Sequence, residues 1–310
     1  MASNYIIALA FILGFALGRA ATCTVAATGR WVNQGKMDWL FGLLVIASWA
    51  AIVLVVLVEW TGQAHLPLDI PLSGKMFVGA VLMGLGAIVN RGCFVGSVGQ
   101  IGTGKFAYLL TFVGLGLALS LTGKFGLDLL GPTEFLPRTT IEQSRAKQIA
   151  LAIFAMIAMV SLWLVLVRRN KAFLALVVIG ICAATIYGTR PEWAYTAQLN
   201  GFLQGQSLSV GKTVELAVIA LFAGAILSNW LKDRFRPEWG GWKLALANLA
   251  GGFLMGIGAT AVPGGNDVLL MWTIPGLTLY GLVAYLTMIA TIAAVMLVGR
   301  IFNRPISPPS

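Results

Sequence analysis

Leu82-Met83-Gly84-Leu85-Gly86-Ala87 recurs at a fixed offset of 172 residues as Leu254-Met255-Gly256-Ile257-Gly258-Ala259. Beyond the repeated run, Gly92-Cys93 stands where the second copy has Gly264-Gly265. A fainter echo links Gly14-Phe15-Ala16-Leu17-Gly18 with Gly201-Phe202-Leu203-Gln204-Gly205. The chain therefore reads as two halves, residues 1–165 and 170–302, followed by a short tail, 303–310. Small residues at these spacings also serve plain close packing between membrane helices. The match continues past the motif into the glycine pair, which packing alone does not require.

The setting of these motifs is a bilayer. Hydrophobic residues make up 58% of the 310 positions and charged residues only 10%, against about a quarter charged in a soluble domain. Apolar runs occupy Trp39–Val58, Phe106–Leu121, Ile149–Val167, Phe173–Tyr187, Val214–Leu231 and Leu277–Val298. Several approach the ~20 residues a spanning helix needs. Such spans must be helices, since an isolated strand leaves backbone groups unpaired in hydrocarbon. Segments of alternating polarity, the mark of an outer-membrane barrel, do not occur. The expected fold is an all-α integral membrane protein. Tyr5–Leu17 has the length of a signal-peptide core, but no basic residue precedes it and Arg19 follows it, so the flanks are reversed. Arg19–Cys23 is a poor lipoprotein box, because Thr22 precedes the cysteine. Residues 5–20 are expected to form a retained helix.

The net charge of +10 is not a nucleic-acid footprint, because its cations lie in short connections between apolar runs. Arg168-Arg169-Asn170-Lys171, Lys232-Asp233-Arg234-Phe235-Arg236 and the tail with Arg300 and Arg304 should face the cytoplasm. Arg19, Arg30 and Lys36 place the first connection there too. Thr61–Leu72 and Gly126–Thr140, with few cations and several prolines, should face outward. This sets the N-terminus outside and the C-terminus inside. It also makes the second half an inversion of the first, the usual sequence pointer to a transport path at mid-membrane.

Two segments are too polar and glycine-rich for a lipid-facing helix. One runs from Gly84 to Gly104 and includes Asn90, Arg91, Gly92, Cys93, Ser97 and Gln100; the other is Thr260–Asp267, with Pro263-Gly264-Gly265-Asn266. Irregular backbone at membrane depth survives only where protein buries it or it lines a cavity. Both segments are read as helix–loop–helix elements broken near the middle of the membrane. Their broken ends offer free N–H groups and positive dipole ends suited to an anion. Arg91, beside Cys93, is either a functional intramembrane cation or an interfacial arginine capping carbonyls; Asp267 is its candidate partner or faces water.

Cysteines stand at positions 23, 93 and 182, with no CxxC and no zinc spacing. Cys182 lies on an otherwise apolar helix and reads as a small hydrophobe. Cys23 and Cys93 each follow a glycine-containing helix end among small and polar neighbours. A thiol is a weak donor and a soft contact. It offers a poorly hydrated sulfur a partner without burying a formal charge.

These residues carry a resemblance. Gly14–Cys23 with Arg30, Leu82–Gly96 with Gly92-Cys93, and Leu254–Asn266 resemble the motifs of the YeeE/YedE family of sulfur transport proteins. The resemblance implies a bacterial inner-membrane protein with an inverted repeat, re-entrant helix–loop–helix segments and an hourglass-like shape. It implies thiosulfate uptake, with cysteines on the central path passing the anion by S–H···S bonds, and a TusA-like cytoplasmic sulfur carrier as partner. Cys23 matches the first family cysteine and Cys93 the central one. At the third position, in the family's Gly-Cys-Asn element, this chain has Gly264-Gly265-Asn266. The expected substrate pathway is thus Cys23, Arg91, Gly92, Cys93, Gly264, Gly265 and Asn266. The missing third cysteine leaves sulfite or a selenium oxyanion open as alternatives to thiosulfate. A membrane thiol-redox protein is the second class of reading, and a structural or regulatory subunit the third. No Walker A sequence, HExxH or intramembrane carboxylate pair occurs, so a transporter without enzymatic activity, cofactor or metal is expected.

Overall fold

A computed structural model describes residues 4–20, 22–62, 64–123, 144–193 and 212–301. The Gly201–Gly205 echo, the Gly126–Thr140 loop, Arg304 and the tail lie outside the described residues. Within them the chain forms α1 (Asn4–Leu17), α2 (Thr24–Gln34), α3 (Asp38–Thr61), α4 (Gly74–Val89), α5 (Phe94–Gly102), α6 (Leu109–Gly123), α7 (Arg145–Leu166), α8 (Lys171–Thr189), α9 (Lys212–Trp230), α10 (Trp242–Ala261), α11 (Asn266–Val268) and α12 (Leu279–Ile301). A π-helical turn, Leu269–Thr273, extends α11. Seven segments among the described residues are long and apolar enough to cross a membrane, counting α4 and α5 as one interrupted span. The chain is an all-α, multi-pass membrane protein.

Helix ends follow local chemistry. Ser144 accepts the Lys147 N–H to start α7, and Asn170 accepts the Ala172 and Phe173 N–H groups to start α8; each satisfies donors that a helix start leaves without partners. Gly62, at φ 60°, closes α3. The apolar run Phe106–Leu121 does not begin as one helix: Phe106–Tyr108 forms a 3₁₀ turn before α6. Of the residues of α7, only Ala158 and Ser161 are buried; the helix lies on the outside of the bundle, tied to α3 by a 2.9 Å hydrogen bond from Trp49 to Ser161.

At the centre, the two copies of the repeated motif pack on each other. A methyl group built on Gly86 would lie 2.7 Å from the Gly251 carbonyl oxygen, and one on Gly79 would lie 2.9 Å from the Gly258 oxygen. Contacts that advance along α4 retreat along α10, so the two helices run antiparallel. The pairing is reciprocal, since Gly79 and Gly86 are the counterparts of Gly251 and Gly258 at the same offset. Without side chains in the way the backbones approach closely, which is how membrane helices associate when lipid gives no hydrophobic drive. Around this axis α1 packs on α9 and α8 on α3, while α6 packs on α10 and α12 on α4. Gly14 and Gly224 form the close approaches of the first of these pairs, and Gly180, against the Ile46 carbonyl, that of the second.

Cations gather at one end of the bundle. Arg19 bonds Ser228 at 3.0 Å, and Lys232 lies near Arg19, Arg234 and Lys171. Burial, with repulsion from these three neighbours, holds the Lys232 pKa below its usual value. Arg300 reaches the Val32 carbonyl at 3.2 Å, and Arg30 pairs with Asp38 through two hydrogen bonds.

Candidate functional site

The first break begins where α4 stops. The Gly92 N–H returns to the Ala87 carbonyl and the Arg91 N–H to that of Ile88, both at 2.9 Å. This is the double closure of a Schellman motif, with its left-handed position held by Arg91 at φ 59°. A non-glycine residue there carries backbone strain, and Asn90 holds the turn. Wholly buried, it donates to the Gly92 carbonyl at 2.6 Å and to Ser97 Oγ at 2.9 Å. It also accepts from Thr111 at 2.6 Å. The chain thus emerges with Cys93 fixed as the N-cap of α5, where its sulfur accepts the Gly96 N–H at 3.4 Å.

The second break is built differently from matching positions. α10 ends at Ala261, the counterpart of Val89, and α11 starts at Asn266, the counterpart of Phe94. Gly264 takes the turn at φ 86°, a conformation that L side chains rarely adopt. The breaks meet: Asn266 Oδ1 accepts the Phe94 N–H at 3.1 Å, satisfying the first free donor of α5. The Asn266 amide nitrogen is buried with no hydrogen-bond partner among the described residues, and the Asn266 side chain lies beside the Cys93 sulfur.

Cys23 arrives from a third element. α1 ends at Leu17, and Cys23 is the N-cap of α2. Its sulfur lies 3.9 Å from that of Cys93, within reach of an S–H···S hydrogen bond between them. Gly96 makes the room, since a methyl group there would lie 2.6 Å from Cys23 Sγ. Cys93 is fully buried and Cys23 half-buried. Thr24, the first residue of α2, is buried and shares a 2.8 Å hydrogen bond with Tyr285. Two soft sulfurs, two helix N-termini and one open amide therefore converge. The arrangement can hold a small anion with a polarisable atom through weak donors and positive dipole ends, with no buried formal charge.

The profile of the family described as sulphur transport matches the chain twice, over residues 19–178 and 165–294. The chain belongs to that sulphur-transport family. The two matches each take in one of the glycine-rich breaks and together span both halves of the central packing. No curated protein matches the chain.

Of the residues singled out from the sequence, the structure brings together Cys23, Gly92, Cys93, Gly265 and Asn266. Arg91 is different: it is exposed and forms no ion pair among the described residues. Asp267 is buried, and its carboxylate accepts the Tyr187 hydroxyl at 3.0 Å. At Gly265 a side chain would lie 2.7 Å from the Phe94 ring and run into the Asp267 carboxylate. The Asp267 carboxylate and the Phe94 ring together occupy the space that any side chain at this position would enter first. Cys182 is buried on α8 in the main apolar cluster. Sequence reasoning passed over Asn90 as a strut, Gly96 as the space for Cys23, and Tyr187. The one available signal was polar density around Asn90 and Ser97.

Proposed function

We propose that this sulphur-transport protein carries thiosulfate across the bacterial inner membrane, with the Cys23–Cys93 pair as the narrow point of the path. The observation that carries the reading is the 3.9 Å contact between two thiols that stand at the N-cap positions of two helices. Thiosulfate has a soft terminal sulfur and a hard oxyanion end. S–H donors suit the first, while the N–H groups that open α2 and α5, with the Asn266 amide, suit the second. Weak donors favour release as well as binding, as conduction requires.

The two halves, 1–165 and 170–302, act as inverted repeats whose helix–loop–helix breaks enclose this point, and the antiparallel packing of α4 on α10 supports that reading. The cationic end with Arg19, Lys171, Lys232 and Arg234 faces the cytoplasm, with the N-terminus outside, the C-terminus inside, and the carrier that removes sulfur, a TusA-like protein, below it. The protein is a permease and not an enzyme. Uptake of labelled thiosulfate into proteoliposomes should fall at least about tenfold when Cys93 becomes Ala, the loss of one interaction at a transition point. Unchanged uptake refutes the role of Cys93. Sulfite and selenium oxyanions, run in the same assay, decide whether the site accepts anions that lack the soft sulfur.

A further inference from the structure

One buried titratable group plays no part in the thiol path. Asp267 is 2% exposed and follows Asn266, the residue whose side chain caps Phe94 beside Cys93. Its carboxylate accepts the Tyr187 hydroxyl and borders a small cavity. The cavity is lined by Leu13, Leu17, Val95, Val98 and Trp193. There is room for about one water, and the buried Trp193 indole N–H finds no acceptor among the described residues. From Asp267 an aromatic column leads outward. Tyr187 stacks on Trp272 with ring centres 5.7 Å apart, and the Trp272 indole donates to the carbonyl of exposed His65 at 3.1 Å.

We propose that Asp267 is a proton-binding residue, protonated when a sulfur anion occupies the Cys23–Cys93 site and deprotonated when the site is empty, so that anion entry is coupled to proton entry. The inference rests on the thiol pair being the anion site. Carboxylates inside membrane spans mark proton relays. Here the carboxylate belongs to the residue after Asn266, whose side chain lies beside the Cys93 sulfur, and that carboxylate and the Phe94 ring crowd the same face of Gly265. Two negative charges that close in low dielectric cannot both persist cheaply, so the arriving anion draws a proton onto Asp267. By reciprocity the protonated acid strengthens anion binding to the same degree. Among the described residues, Tyr187 from α8 is a titratable group in contact with Asp267; the turn that supplies Trp193 carries Glu192, paired with Arg190, and Cys23 and Cys93 stand at the starts of α2 and α5. The neighbouring faces of α1 and α5 present aliphatic side chains, and α9 presents Leu221. The proton moves from bulk water through the cavity to the Asp267 carboxylate and leaves to the other side after the anion does; no bond other than O–H is made or broken.

The test uses the full chain in proteoliposomes loaded with a pH-sensitive dye, with labelled thiosulfate added outside. Thiosulfate is fully ionised between pH 6 and 8, so any proton that travels with it is carried by the protein. Wild type should acidify the lumen as label enters. Its initial uptake should fall by about tenfold per pH unit once Asp267 titrates as the single linked group. Asp267→Asn keeps a hydrogen-bond acceptor for Tyr187 and mimics the protonated acid. Its uptake at pH 8 relative to pH 6 should be flat, with no lumenal acidification. Label entry without proton entry in wild type overturns the coupling and leaves the thiol path standing. A pH dependence in Asp267→Asn equal to that of wild type overturns the assignment to Asp267. Absence of any label entry in wild type overturns the thiosulfate reading and this inference with it.

Discussion

Replacing Asn90 with Leu removes the strut beneath Cys93 while keeping the branched arrangement of side-chain heavy atoms. Asn90 makes three buried hydrogen bonds, to Gly92, Ser97 and Thr111. Polar bonds between membrane helices are worth about 0.6–1.5 kcal/mol each. The freed hydroxyls of Ser97 and Thr111 can turn back to a carbonyl one turn earlier; the Gly92 carbonyl, which belongs to the turn, stays orphaned. The expected loss of stability is about 2–4 kcal/mol. It should be concentrated at the Asn90–Cys93 turn, where Arg91 already holds a left-handed backbone. Reversible unfolding in mixed micelles gives the global figure. The rate at which an oxidant joins Cys23 to Cys93 reports the local one, because that reaction needs the 3.9 Å approach. A variant within about 1 kcal/mol of wild type, with an unchanged cross-linking rate, refutes the idea that Asn90 positions the thiol.

Further outcomes follow from the same geometry. Gly96→Ala places a methyl group 2.6 Å from the Cys23 sulfur, so it should push the sulfur pair apart and lower thiosulfate uptake by about tenfold or more; uptake equal to wild type would contradict the packing described. Gly265→Cys meets the Phe94 ring at 2.7 Å, and should destabilise the protein by about 1–3 kcal/mol through overpacking. The same change made together with Phe94→Ala should recover part of that loss, and an equal loss in both would show that the ring is not what excludes a third thiol. Diamide should join Cys23 and Cys93 in the wild-type protein and stop uptake, with recovery on adding a reductant, and Cys182→Ala should change neither step, as read by free-thiol titration.

Much of the architecture was legible because membrane chemistry writes strong signals. Runs such as Trp39–Val58 leave no alternative to a spanning helix, and the repeated Met-Gly-x-Gly-Ala run marked the corresponding elements of the two halves, which the fold packs on each other as α4 and α10. The breaks at Asn90–Cys93 and Val262–Gly265 lie inside the polar, glycine-rich segments Gly84–Gly104 and Thr260–Asp267 that the sequence marks. The contact between Cys23 and Cys93 was not legible as a distance, since it depends on how α1 and α2 return to α5. Arg91 and Asp267 illustrate the limit. Sequence places both in breaks and leaves Asp267 either paired with Arg91 or facing water, but Arg91 is exposed while Asp267 is buried against Tyr187 of α8. Its partner, Tyr187, closes the apolar run Phe173–Tyr187, where hydropathy reads only a wall. Likewise, the resemblance sets a cysteine where this chain has Gly265, but only the fold shows the Asp267 carboxylate and the Phe94 ring crowding that position.

The most direct test of the account is to locate the anion itself. Selenosulfate places a selenium atom where thiosulfate carries its soft sulfur, and anomalous scattering from crystals of the soaked protein would fix its position. The account predicts a selenium peak in contact with both the Cys23 and Cys93 sulfurs, lost in Cys93→Ala. A selenium peak elsewhere in the bundle, with the thiol pair left in its 3.9 Å contact, would contradict it.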